Sequence, residues 1–150
     1  MARSKSYREL IAWQRAMTLA KRAYRISNEL PRKEAYGLIS QMQRAAVSVP
    51  CNIAEGHGRL TDLQFRHFLG NARGSLCELQ TQIELAFDLG YISAKKLKDF
   101  MQKSSEVARL INGLITSLRE MRSAAKKSLT PLTARSAANS ASSATKERYL

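Results

Sequence analysis

The sequence predicts an all-α protein: an antiparallel up-down-up-down four-helix bundle followed by a C-terminal tail expected to be disordered. Three observations carry that expectation. Only 7 glycines and 3 prolines occur in 150 residues, while the residues that lose least side-chain freedom in a helix, such as Ala, Leu, Arg, Lys, Gln and Glu, are abundant. Apolar residues recur at helical spacing over four long segments joined by short connections. The length is one domain's worth of chain. Residues 1–125 therefore read as the bundle. Residues 126–150, with Pro131 and a Ser/Ala/Thr-rich run, bury too little apolar side chain to offset the entropy of ordering and read as a low-complexity basic tail.

The first helix is expected over residues 7–29, with Ser6 as N-cap and Glu9 three positions on as the second half of a capping box. Leu10, Trp13, Met17, Ala20 and Tyr24 form one stripe, read as facing the core. Arg8, Arg15, Arg22 and Arg25 form a second stripe roughly opposite. A third arc, Ala12, Ala16, Leu19, Ala23 and Ile26, makes the helix apolar over more of its circumference than a monomeric bundle helix requires. That surplus fits either a subunit interface or a helix deeply buried within one protomer.

The second helix is expected from about Glu34 through Leu38, Met42, Ala45 and Val49. Pro50 lacks an amide donor and its ring presses on the carbonyl of Ala46, so a bend or brief opening is expected there. Gly56 is read as the residue just past the helix end.

The third helix is expected over residues 61–89, capped by Thr61 and stopped by Gly90. Phe65, Phe68, Leu69, Ala72, Leu76, Leu79, Ile83, Ala86 and Phe87 share its core arc. Gly70 and Gly74 lie off that arc, where they either admit a close neighbour or simply weaken the helix. The fourth helix is expected over residues 93–125, with Phe100, Val107, Ile111 and Leu118 on its broad apolar face.

A formal net charge of +13 makes the solvated faces cationic, which favours acidic partners such as nucleic acid or an anionic membrane surface, or else serves solubility alone. Two cysteines, Cys51 and Cys77, are too few for a disulfide framework and lack zinc-site spacing. No secretory or membrane-spanning apolar run is evident, so a cytoplasmic protein with no membrane association is expected.

The stretch 41–56, QMQRAAVSVPCNIAEG, combines small residues, a proline in a helical pattern and a polar ending. Gln41, Arg44, Ala45, Ala46, Ser48, Val49 and Pro50, followed by Asn52, Ile53, Ala54, Glu55 and Gly56, resemble the hallmark of the four-helix bundle protein family. That family is also described as proteins encoded in intervening sequences of bacterial large-subunit ribosomal RNA genes. Matches in order and spacing continue through Trp13-Gln14, Tyr36-Gly37-Leu38, Phe68-Leu69, Gly74-Ser75-Leu76 and Gly90-Tyr91, spanning roughly residues 7–120. The resemblance implies a protomer that assembles into a ring, typically a pentamer, with a basic surface. It also implies kinship with the accessory protein of diversity-generating retroelements, which binds reverse transcriptase and nucleic acid.

No enzymatic constellation emerges from the residues, and neither a catalytic site nor a cofactor is expected. A carboxylate-bridged metal centre would need inward Glu residues and Glu-x-x-His pairs, and the sequence has none. His57 and His67 lack a converging ligand set. Cys51, six residues from His57, lacks a third group to orient the histidine and reads as a small buried thiol. Arg44, Pro50, Asn52, Glu55 and Gly56 read as structural, with Arg44 and Glu55 needing partners on another helix or subunit. The expected function is a non-enzymatic homo-oligomer that binds RNA or DNA by its phosphate backbone through Arg8, Arg15, Arg22 and Arg25. The alternative is an interaction scaffold or accessory subunit for a partner such as a reverse transcriptase.

Overall fold

The computed structural model describes residues 3–129, and the tail from residue 130 onward lies outside the described residues. Among these residues the chain forms four α-helices and no strand: α1 (Ile11–Ser27), α2 (Leu38–His57), α3 (Asp62–Asp88) and α4 (Ala94–Ser128). Contacts divide the chain into two units, Met1–Leu118 and Arg119–Leu150. The first is an up-down-up-down bundle. In the second, the described residues continue α4 as far as Ser128.

The first expected helix is two elements. Ser6 caps a 3₁₀ turn, Tyr7–Glu9, by accepting from the amide of Arg8 at 3.2 Å, and Leu10 then leaves helical geometry with ψ near 120° before α1 begins. The capping box is therefore not formed as expected: Glu9 is tied back only through its own amide, which donates to the Ser6 carbonyl. A second 3₁₀ turn, Arg32–Glu34, precedes α2. The Glu34 carboxylate accepts from the Leu38 amide at 3.3 Å and from the Tyr91 hydroxyl at 2.9 Å. One acid thus joins the start of α2 to the α3–α4 turn.

The core is built from Leu19 of α1, Met42, Val49 and Ile53 of α2, Leu69, Leu76, Leu79 and Ile83 of α3, and Phe100, Val107 and Ile111 of α4, all almost wholly buried. Burial of α1 is the reverse of the expected one. Ala12, Ala16, Leu19, Ala23 and Ile26 are buried, whereas Tyr24 is 41% exposed and Trp13, Met17 and Ala20 are half-buried. The physical reason is close approach: alanines on α1 meet a face of α2 that buries Ala45, Ala46 and Val49, and small side chains let two helix backbones come together where Trp and Tyr would hold them apart.

Polar links tie the helices together. Buried Ser27 donates to the Tyr24 carbonyl at 2.7 Å and accepts from Gln43 of α2 at 3.0 Å. Gln80 of α3 donates to buried Ser104 of α4 at 2.8 Å. Thr61 caps α3 by accepting from Gln64, and Gly90, with φ +79°, terminates it, as the sequence predicts. No helix among the described residues is long and apolar enough to cross a membrane.

Candidate nucleic-acid interface

The four arginines of the first helical segment do not form one equivalent stripe. Arg15 is paired with Glu106 at 3.1 Å and Arg22 with Asp99 at 2.5 Å, both acids on α4, so half of the stripe is spent on holding α4. Arg8 lies over the Tyr7 ring at 4.7 Å, and neither it nor Arg25 has an acidic partner among the described residues. Only these two keep their full charge for an external anion.

The hallmark stretch resolves into packing. α2 runs unbroken through Pro50, which is buried. Asn52 donates through Nδ2 to the Ser48 carbonyl at 2.8 Å and to Ser48 Oγ at 2.9 Å, and Ser48 Oγ lies 2.9 Å from Ser75 Oγ of α3. That chain of small polar groups links α2 to α3. Gly56 is not the residue past the helix end; it is buried one residue before the last residue of α2, and a Cβ there would lie 2.7 Å from Phe68 Cβ and 2.9 Å from Phe65 Cδ2. Its role is to let α3 cross close to α2. Arg44 and Glu55 are both exposed, and neither makes an ion pair with another helix among the described residues. Glu55 pairs with Arg59 at 2.5 Å, while Arg44 has no ion-pair partner among the described residues.

His57 ends α2 and is held by the N-terminal segment: its Nε2 donates to the Ser4 carbonyl at 3.0 Å, and Arg3 bridges the Arg59 carbonyl and Asp62, each at 2.7 Å. Cys51 and Cys77 are exposed, so the expected buried packing role of Cys51 is not realised. Among the described residues no group of three or more His, Cys, Asp or Glu is placed to hold a metal ion.

Two concavities stand out. The stripe of α1 displaced from the core, with Tyr7, forms an apolar groove of about 670 Å³ lined by Trp13, Met17, Tyr24, Val47, Pro50 and Cys51. Tyr7 meets Trp13 edge-on at 5.2 Å. The second groove, about 760 Å³, follows α3 and is lined by Arg59, Arg66, His67, Phe68, Gly70 and Arg73, with no carboxylate in its wall. Arg59 stacks on Phe68 at 4.6 Å and His67 meets the same ring edge-on at 5.8 Å. Arg66 and Arg73 have no acidic partner among the described residues. The sequence reading missed this groove, although Arg66 and Arg73 are seven positions apart, two helical turns, and so share a face.

The fold and surface define a class: a small, strongly basic bundle, all-helical among the described residues, that bears an apolar groove and a cationic groove. The match to the 23S rRNA-intervening sequence protein model spans residues 8–113, and the chain belongs to that family. Its fold is similar to the crystal structure of a protein of unknown function from the S23 ribosomal protein family of Bacteroides thetaiotaomicron VPI-5482. The two share 20% identity with a TM-score of 0.66 over 70% of this chain and 98% of that one. No match is found among curated proteins.

Proposed function

We propose that the protein is a non-enzymatic, self-associating nucleic-acid-binding protein that grips phosphate through its basic surface. The observation that carries this reading is the excess of 25 Lys and Arg over 12 Asp and Glu. Arg8, Arg25, Arg44, Arg66 and Arg73, moreover, have no acidic partner among the described residues. An arginine already paired with an acid, such as Arg15 or Arg22, must give up that partner to bind phosphate, whereas binding of phosphate by an arginine without an acid gains from counterion release at no such cost. The family's description, which refers to an intervening sequence of 23S rRNA, supports the same reading.

The apolar groove beside α1 supports self-association. Trp13, Met17, Tyr24 and Val47 present a contiguous apolar surface that a second copy would cover, and a ring of five is the assembly that the family resemblance implies. Symmetry would repeat each basic patch and convert weak contacts into avidity. Titration of structured RNA and duplex DNA at low salt tests the binding, with affinity expected to fall steeply as salt rises. Absence of binding, or affinity indifferent to salt, would overturn it. Light scattering tests assembly; a monomer would assign the apolar groove to a different protein, the accessory-subunit reading.

A further inference from the structure

We infer that the groove along α3 is a site for single-stranded nucleic acid, holding phosphates with Arg66 and Arg73 and stacking an unpaired base against Phe68 and the Arg59 guanidinium. This inference rests on the nucleic-acid reading above and assigns it a place and a strand preference. It does not use the arginines of α1.

Charge and shape together select the ligand. The wall carries three arginines and a histidine and no carboxylate; Arg59 is already paired with Glu55 just outside it, so Arg66 and Arg73 hold its unmatched charge. Among the described residues Arg66 and Arg73 are matched by no acid, and with Arg73 exposed and Arg66 half-buried their guanidinium charge is not neutralised within the protein. Two turns of helix separate Arg66 from Arg73 by about 10 Å, the rise of roughly three stacked nucleotides of one strand. Gly70 sits between them, and a Cβ built on it meets nothing within 4 Å, so the floor is open for the chain to pass.

The aromatic component decides between single and double strands. The half-buried Phe68 ring already carries a guanidinium at 4.6 Å over its face, a contact that an extruded base joins or replaces. Paired bases are stacked on their own neighbours and cannot reach such a platform, so a duplex would use the arginines alone. A groove of about 760 Å³ is large enough for a nucleotide. RNA and DNA share the phosphate and base chemistry, and the test separates them.

Fluorescence anisotropy with the full chain tests the assignment, using short oligouridylate, oligothymidylate, an abasic strand of equal length and a duplex. Wild-type protein is expected to bind oligouridylate or oligothymidylate at least about fivefold more tightly than the abasic strand, the lower range for one stacked base. Stronger binding of oligouridylate would identify RNA as the ligand, and equal binding would mean that the sugar is not read. The R66Q/R73Q variant should lose single-strand affinity, and its log affinity against log salt should flatten by about 1.4, two contacts at roughly 0.7 each. R8Q/R25Q should keep the preference for bases over the abasic strand. Abasic and base-bearing strands binding wild type equally, or R66Q/R73Q binding oligonucleotides as wild type does, would overturn the assignment while leaving phosphate binding elsewhere intact. Wild type binding none of the strands at low salt would overturn both readings. The abasic comparison needs no variant, so a folding defect in R66Q/R73Q cannot conceal the result.

Discussion

At Gly56 two effects of opposite sign compete, and distances decide between them. Replacing an interior helical glycine by alanine ordinarily stabilises by about 0.5–1 kcal/mol. Here the new Cβ would lie 2.7 Å from Phe68 Cβ and 3.2 Å from the Phe65 carbonyl oxygen, atoms that cannot move without shifting α3. Gly56→Ala should therefore destabilise by about 1–3 kcal/mol in a denaturant titration. Gly74 offers the contrast, because a Cβ there meets nothing within 4 Å. Gly74→Ala should raise stability by roughly 0.5–1 kcal/mol; equal effects at the two positions would show that propensity, not close approach, governs Gly56. The sequence displayed both glycines but not this distinction, since a glycine near a helix end suits a stop and a close crossing equally well. Asn52 was similarly half legible: its polarity in an apolar run announced a structural link, whereas Ser75, which completes that link, lies 23 positions away on another helix.

Helices α1 and α3 show why one element was readable and the other was inverted. On α3 one apolar arc dominates, so periodicity alone picks the buried face, and Phe65, Leu69, Ala72, Leu76, Leu79, Ile83 and Ala86 are buried as expected, while Phe68 at its margin is only half-buried and Phe87 is exposed. On α1 two arcs compete, and periodicity gives their angles without saying which meets α2. Close backbone approach favours the alanine arc and leaves the aromatic arc outside. Leu19→Ala should then cost about 2–5 kcal/mol of folding stability, because that side chain is buried in the core. Met17→Glu, by contrast, should leave the protomer folded with near-native helicity and shift light scattering toward the monomer. Loss of helicity in M17E would restore the original core assignment.

A second element-scale contact makes a pH prediction. The Tyr91 hydroxyl donates to Glu34, and that hydrogen bond, with burial and the carboxylate's charge adding to it, raises the tyrosine's pKa above its usual 10.0. The folded state then holds this proton more tightly than the unfolded one. Its contribution is fully present below pH 10.0 and is lost as pH rises through the raised value. Y91F has no such proton. The stability difference between wild type and Y91F, measured by denaturant titration, should shrink above that pH, and parallel alkaline decline of both proteins would remove the linkage.

At the scale of the whole molecule, the net charge of +13 and the local ion pairs pull in opposite directions with salt. Screening weakens pairs such as Arg15–Glu106 and Arg22–Asp99, but these are partly exposed and contribute only about 0–1 kcal/mol each. Screening also relieves the repulsion among arginines that have no acid beside them, a penalty that grows with total charge and, unlike a pair, is shared by the whole surface. Repulsion is the larger effect. The melting temperature should rise by a few degrees as salt increases from about 50 to 200 mM, the range over which surface charges become strongly screened. A polyanion such as heparin should raise it further at low salt by binding the folded surface, and that second gain should vanish at high salt as counterion release loses its advantage. A melting temperature that falls with added salt would instead make the α1–α4 ion pairs the dominant electrostatic contribution, and the basic surface would lose its standing as charge held in reserve for a partner.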